Sequence, residues 1–158
     1  EVMNGVRSVT DLLARRKGVE VKVDDSASAV VLSADPSLLE QAVINLVSNA
    51  IEHSREGQTV WISLQYDPQE FRLGVRDEAG GIPADQLPTL FAPFSSGKTK
   101  KSHAQRGTGL GLAITRAIAE AHRGRIEVQS NWGYGSFFEL ILPIHPQPKG
   151  SFTRKGPA

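Results

Sequence analysis

Apolar positions in this chain recur at two spacings. Leu38, Leu39, Ala42, Val43, Leu46, Val47, Ala50 and Ile51 return every three or four residues, which is one face of an α-helix. Asp35 and Pro36 supply its start, because an aspartate accepts from free first-turn N–H groups and proline suits the first helical position. Ser54 to Gly57 ends it. Gln41, Asn45, Ser48, Asn49 and Glu52 fall on a different stripe, with two asparagines one turn apart. Asparagine is a mediocre helix former, so propensity did not place them there. The stripe reads two ways: as a solvated polar face, or as amide groups able to bind a hard cation or an anion.

The rest of the chain alternates between the two periods. Val2, Val6, Val9, Leu12 and Leu13 predict an amphipathic helix to about Arg16, stopped by Lys17 and Gly18. Val19, Val21 and Val23 alternate with polar residues and predict a strand. Asp24 to Ser28 reads as a turn and Ala29 to Leu32 as a second short strand. Val60 to Tyr66 and Phe71 to Asp77, joined by Asp67 to Glu70, predict a β-hairpin. In its second strand Phe71, Leu73, Val75 and Asp77 share a face, which aims Asp77 at the core. A buried carboxylate needs a donor; the other reading has Asp77 past the strand end, capping a turn.

Glu78 to Pro83 is a tight glycine turn, and Pro83 to Phe91 reads as a short helix. Phe91 and Phe94 fit either core plugs or a latch for a mobile neighbour. Ser95 to Arg106 is polar, basic and aperiodic, and is read as a flexible loop. Gly107 to Leu112 then runs into a helix with Leu110, Ile114, Ala117 and Ala121 as its stripe and Gly124 as a left-handed cap. Arg125 to Ser130 and Ser136 to Ile144 are the last strands, around an Asn131 to Gly135 turn.

Composition bounds this picture. With 158 residues the chain suits one domain, read as an upstream helix end or linker over 1–18, the domain over 19–145 and a disordered Pro/Gly/Lys-rich tail over 146–158. The absence of an initiator methionine reads as a fragment of a longer protein. Eighteen basic against 17 acidic residues give no global field for nucleic acid. No cysteine is present, which excludes disulfides and thiol nucleophiles. No apolar run approaches the ~18 residues of a membrane span.

Three chemical features stand out in the sequence. Ala92 to Thr99 imitates a P-loop, but alanine stands at the first glycine and a helix, not a strand, precedes it. His53, His103, His122 and His145 lack metal-site spacing, and His53 and His122 at helix ends read as structural. A glycine turn at a helix start, as at Gly107, Gly109 and Gly111, offers N–H groups and the positive dipole end to phosphate.

Taken in order, Asn45-Leu-Val-Ser-Asn49-Ala, Asp77-Glu-Ala-Gly-Gly81-Ile, Phe91-Ala-Pro-Phe94 and Gly107-Thr-Gly109-Leu-Gly111-Leu resemble the N, G1, F and G2 boxes of the catalytic and ATP-binding domain of sensor histidine kinases, of the wider group that includes DNA gyrase B, Hsp90 and MutL. The resemblance covers about Val19 to Ile144. It implies an α/β sandwich, with a mixed, largely antiparallel sheet, helices on one face, and ATP between helices and lid.

The resemblance also implies roles. Asp77 accepts the adenine amine, Gly81 and Ile82 line the base, and Ser136 adds a hydroxyl. Asn49 holds Mg²⁺ with Asn45 beside it. Lys98 and Arg106 face the γ-phosphate, with Arg106 joining the two asparagines as catalytic. Gly107, Thr108, Gly109, Leu110, Gly111 and Leu112 wrap the phosphates. ATPases of this group resemble one another in a glutamate one turn before the Mg²⁺-binding asparagine; Asn45 stands there, and an amide is no general base. The expectation is therefore weak hydrolysis, and phosphoryl transfer to a histidine on a separate dimerisation domain of the same protein, serving a response regulator. The module is expected in the cytoplasm without touching membrane or nucleic acid, its parent either soluble or anchored in the inner membrane. An anti-sigma-factor-type serine kinase and a degenerate nucleotide-binding regulator are the alternatives. Ala79 departs from the first G1 glycine, and Glu52 stands where many relatives carry a basic residue.

Overall fold

The computed structural model describes residues 2–24, 32–95 and 109–144. Its elements are α1 (Val2–Lys17), β1 (Glu20–Asp24), α2 (Pro36–His53), β2 (Thr59–Tyr66), β3 (Glu70–Asp77), a 3-10 turn (Leu87–Thr89), α3 (Gly111–Ala121), β4 (Arg125–Asn131) and β5 (Gly135–Pro143). The strands form one sheet in the order β1-β2-β3-β5-β4. β1 and β2 pair in parallel across α2, and all other pairs are antiparallel. This is the expected α/β sandwich with a mixed, largely antiparallel sheet.

Strand alternation makes the inward face. Ile62, Val75, Phe138 and Val128 stand in one cross-strand row, and Leu64, Leu73, Leu140 and Ile126 in the next. Against them α2 buries Leu39, Ala42, Val43, Leu46, Val47, Ala50 and Ile51. The outward rows carry Trp61 with the Arg76 guanidinium 5.0 Å from its ring centre, and ion pairs from Glu70 to Arg72 and Arg125.

Both ends of α2 are held from outside the helix. Asp35 Oδ1 accepts from the N–H groups of Ser37 (2.9 Å) and Leu38 (3.1 Å), the predicted cap. The Asp35 N–H donates to His122 Nε2 at 3.1 Å, which leaves Nδ1 to donate to the Ile118 carbonyl at 2.7 Å. At the other end Lys17 Nζ donates to the carbonyls of Glu52 (2.8 Å) and Ser54 (3.2 Å). His122 and His53 thus serve helix ends, as read from the sequence.

Several expectations are corrected. Pro83 to Phe91 is not a helix; turns flank a 3-10 segment at Leu87–Thr89, because Pro88 has no N–H to donate into a helix interior. On α1 the buried residues are Val6, Thr10 and Ala14, while Val9 and Leu12 lie exposed. Thr10 can be buried because its hydroxyl donates to the Val6 carbonyl at 2.9 Å. On α3 the buried residues are Thr115, Ile118 and Ala119, and Ile114, Ala117 and Ala121 face solvent. Leu32 lies outside any strand; residues 25–31, which carry the rest of the predicted turn and second strand, lie outside the described residues, as does the predicted tail over 146–158.

The end of α3 is also built differently. The left-handed residue is Arg123 (φ 59°), not Gly124. Arg123 N–H donates to the Glu120 carbonyl (2.9 Å) and Gly124 N–H to that of Ala119 (2.8 Å), the paired bonds of a Schellman cap. Gly124 is needed for space, since a Cβ there would sit 2.2 Å from the Ile141 carbonyl oxygen. The two neighbours should therefore respond with opposite signs. Gly124→Ala is expected to destabilise the chain by about 2 kcal/mol and Arg123→Gly to stabilise it by up to about 1 kcal/mol, both read from urea unfolding midpoints.

Candidate functional site

The asparagine stripe of α2 lies beside its core face, and Asn45 and Asn49 are half-buried. Asn45 Nδ2 donates to the Gly111 carbonyl at 3.2 Å, and Thr115 Oγ1 donates to the same oxygen at 2.9 Å. The Asn45 amide thereby fastens the first turn of α3 to α2, the Thr115 bond closes within α3, and the Asn45 amide oxygen takes no part in the bond to Gly111. Among the described residues the Asn49 side-chain amide makes no hydrogen bond; its backbone carbonyl accepts from His53 Nδ1 at 2.7 Å.

At its other end this space meets the start of α3. Gly109 takes φ 69°, and no side chain caps α3 at Leu110. The first-turn N–H groups therefore keep the positive dipole end open beside Asn45. Leu112 packs against the core. The Gly109 carbonyl accepts from Phe94 N–H at 3.0 Å, which joins the two glycine- and phenylalanine-bearing segments. Phe91 is a core plug, edge-on to Phe138 with ring centres 6.3 Å apart, whereas Phe94 is 73% exposed at φ 61°.

Asp77 is buried, at 4% exposure, on the inward face of β3. Its Oδ1 accepts from Ala79 N–H at 2.9 Å. Burial pushes its pKa above the ordinary value, opposed by the N–H groups of Ala79 and Ser136 and by the nearby His53. Asp77 faces the core as the alternation predicts and is the last residue of β3 rather than past its end, while its carboxylate still holds the following turn. Ala79 is accommodated, buried and supplying that N–H.

The glycine turn after β3 rests on the β4–β5 turn. A Cβ at Gly81 (φ 74°) would lie 2.3 Å from the Asn131 carbonyl oxygen, so its close backbone approach is to that turn. Gly133 N–H donates to the Gly80 carbonyl at 2.7 Å. Ile82 N–H donates to Ser130 Oγ, also at 2.7 Å, and Ser130 Oγ lies 3.0 Å from Ser136 Oγ. Ser136 is buried and pairs in register with Asp77. Sequence reasoning missed Ser130. Its signal was available: it is in phase with Ile126 and Val128, a polar residue at an inward position, as Asp77 is on β3.

The structure thus places Asn45, Asn49, Gly109, Leu110, Gly111 and Leu112 around the α2–α3 contact, and Asp77, Gly81, Ile82 and Ser136 at one end of the sheet. Glu52 is exposed on α2. Lys98, Arg106, Gly107 and Thr108 lie outside the described residues. No cluster of three or more His, Cys, Asp or Glu that could hold a metal occurs among the described residues. Among the same residues no helix is long and apolar enough to cross a membrane.

Comparison with known proteins agrees with this arrangement. The profile of the histidine kinase-, DNA gyrase B- and HSP90-like ATPases matches residues 34–146. The chain is 37% identical over 127 residues to the sensor protein KdpD of Clostridium acetobutylicum, covering 80% of this chain and 14% of that protein. It therefore spans about a seventh of that curated relative. Its structure resembles the nucleotide-free catalytic domain of the histidine kinase ThkA, with TM-score 0.78, 27% identity, and 92% of this chain and 93% of that one covered. Full-length ShkA in complex with AMPPNP matches with TM-score 0.75 and 26% identity over 91% of this chain and 30% of that one. The residues that hold α3 against α2 and bury a carboxylate at the sheet end thus lie in a chain that belongs to the histidine kinase-, DNA gyrase B- and HSP90-like ATPase family, as a catalytic domain of the sensor histidine kinase kind.

Proposed function

We propose that this domain binds Mg-ATP and delivers the γ-phosphate to a histidine on a separate dimerisation domain of the same protein, for onward use by a response regulator. The observation that carries the reading is the Asn45–Gly111 bond, which sets the asparagine stripe against the open N-terminus of α3. Family membership supports ATP as the ligand, and so does the AMPPNP complex of ShkA.

On this reading Asp77 accepts the exocyclic amine of adenine, completing a buried carboxylate that is an acceptor only when ionised. The α3 amides and Gly109 receive the phosphates at the positive helix end. Lys98 and Arg106 add positive charge at the γ-phosphate. The residues fit a magnesium ion: the half-buried Asn49 amide is without a hydrogen bond among the described residues, and Mg²⁺ needs one or two protein oxygens beside phosphates and waters. Asn49 would hold it, with Asn45 adjacent, and the bound ion would neutralise charge on the phosphates. What the chain supplies is positioning and fixed dipoles. Asn45 cannot take a proton from water, and its NH₂ is committed to Gly111. The domain is thus built to hold ATP intact until an acceptor arrives.

Three outcomes follow. Calorimetric titration should show magnesium-dependent ATP binding by this chain with negligible turnover and no label transferred from ATP to the chain itself; sustained hydrolysis would instead return an ATPase reading. Acidification should weaken ATP binding, because the amine needs the ionised Asp77, and the loss should begin above the pH expected of an ordinary aspartate since burial raises this one. Asp77→Asn is expected to flatten that profile at an affinity reduced by about 100-fold. The stability sign is opposite: a raised carboxyl pKa contributes stability below the unfolded pKa that is lost as pH rises through the folded one, so the nucleotide-free Asn variant should be at least as stable as wild type at pH 7. Finally, Glu52→Lys should tighten ATP binding severalfold by replacing repulsion with attraction at the phosphates; an unchanged dissociation constant would place Glu52 away from them.

A further inference from the structure

One inward row of the sheet differs from its neighbours. Val60, Asp77, Ser136 and Ser130 stand in register from β2 through β3 and β5 to β4, next to rows that are wholly apolar. Three polar side chains in such a place must satisfy one another, the backbone, or a ligand.

The protons in this row can be counted. Ser130 Oγ accepts from Ile82 N–H at 2.7 Å, and lies 3.0 Å from the Gly135 carbonyl and 3.0 Å from Ser136 Oγ. A carbonyl oxygen only accepts, so the single hydroxyl proton of Ser130 goes to Gly135. Taken alone, the contact between the serines can be donated from either side; made together with the Gly135 bond, it takes its proton from Ser136. Ser136 Oγ then has lone pairs to offer and no proton. Asp77, directly across from it, is likewise acceptor-only when ionised. Backbone geometry keeps the arrangement in place, because a Cβ at Gly135 would lie 2.2 Å from the Asp77 carbonyl oxygen, so only glycine lets β5 approach this closely.

Resting on the reading of this row as the wall that meets adenine, we propose that Ser130 is a specificity-determining positioning residue. By taking the Ser136 proton it makes the wall acceptor-only, which selects a purine carrying a 6-amino group over one carrying a 6-oxo group. Ser130 acts through Ser136. Without it the Ser136 hydroxyl is free to turn its proton toward a 6-oxo oxygen, and Asp77 carries the discrimination alone. The effect is separable from the other task of Ser130, holding the Ile82 turn, because a loosened turn weakens both purines alike.

The test is equilibrium titration of the whole 158-residue chain with ATP and with ITP, which differs from ATP at the 6-position and in carrying a proton on N1. Ser130→Ala is expected to lower the ATP-to-ITP affinity ratio about tenfold, the worth of one hydrogen bond turned from acceptor to donor. Ser130→Thr, which returns a hydroxyl, should restore the ratio. Ser130→Cys keeps the position filled should the alanine variant fold poorly, and is also expected to lower the ratio because sulfur is a weak acceptor. In a Ser136→Ala background the Ser130→Ala change should leave the ratio unmoved. Equal weakening of both nucleotides by Ser130→Ala overturns the proposal, as does a tenfold fall that persists without the Ser136 hydroxyl. Wild type that binds neither nucleotide would instead remove the adenine-site reading itself, and the proposal with it.

Discussion

The packing of one helix face against the inward rows of the sheet governs everything else in this domain. Each of the larger aliphatic side chains that α2 buries contributes about 1.5–3 kcal/mol of transfer free energy. That burial fixes the rotation of α2 about its axis. Once Val43, Leu46, Val47 and Ile51 face the sheet, Asn45 and Asn49 have no choice of direction. The caps add position to rotation, since Asp35 and His122 hold the start and Lys17 the end. An apolar contact with no chemistry of its own thus aims the residues that have some.

The polar site is built on the same economy of means. The described groups that face it are amides, hydroxyls, backbone N–H groups and one carboxylate, and Asn45, Asp77, Ser130 and Ser136 are already tied to neighbours by short bonds. Asn45 ties the Gly111 carbonyl to α2, which restrains the first turn of α3 from shifting along it. Under the proposed function, such preorganisation suits a reaction in which charge is redistributed over phosphate oxygens and little covalent work falls to the protein.

How far the sequence discloses this differs from element to element. α2 and the β2–β3 hairpin are legible because their apolar periods are clean and their caps and turns agree with them. The inward aim of Asp77 was readable from alternation alone. The facing of α3 was not, because Leu112, Ala113, Ile114, Ala117, Ile118, Ala119 and Ala121 put apolar positions nearly all round the helix, and its buried face includes Thr115, whose hydroxyl is satisfied within the helix. Gly124 was recognised as a helix stop for the wrong reason: its need is for space against Ile141, a strand away in the fold. The Asn45–Gly111 bond joins residues far apart in sequence and has no local signature. Ser130 went unread because a serine at an inward strand position was given no meaning beside its apolar partners.

The Phe94–Gly109 bond has a topological consequence. It clasps the chain into a closed ring around residues 95–108, because the N–H just before that segment meets the carbonyl just after it at 3.0 Å. The entropy of bringing the ends together is settled at the clasp, and it grows only logarithmically with the length enclosed, by about 0.6 kcal/mol for each doubling. The segment between can therefore lengthen, shorten or change composition through evolution while the domain that carries it keeps nearly the same stability. In this ring the chain has a place where its sequence can vary without renegotiating the fold.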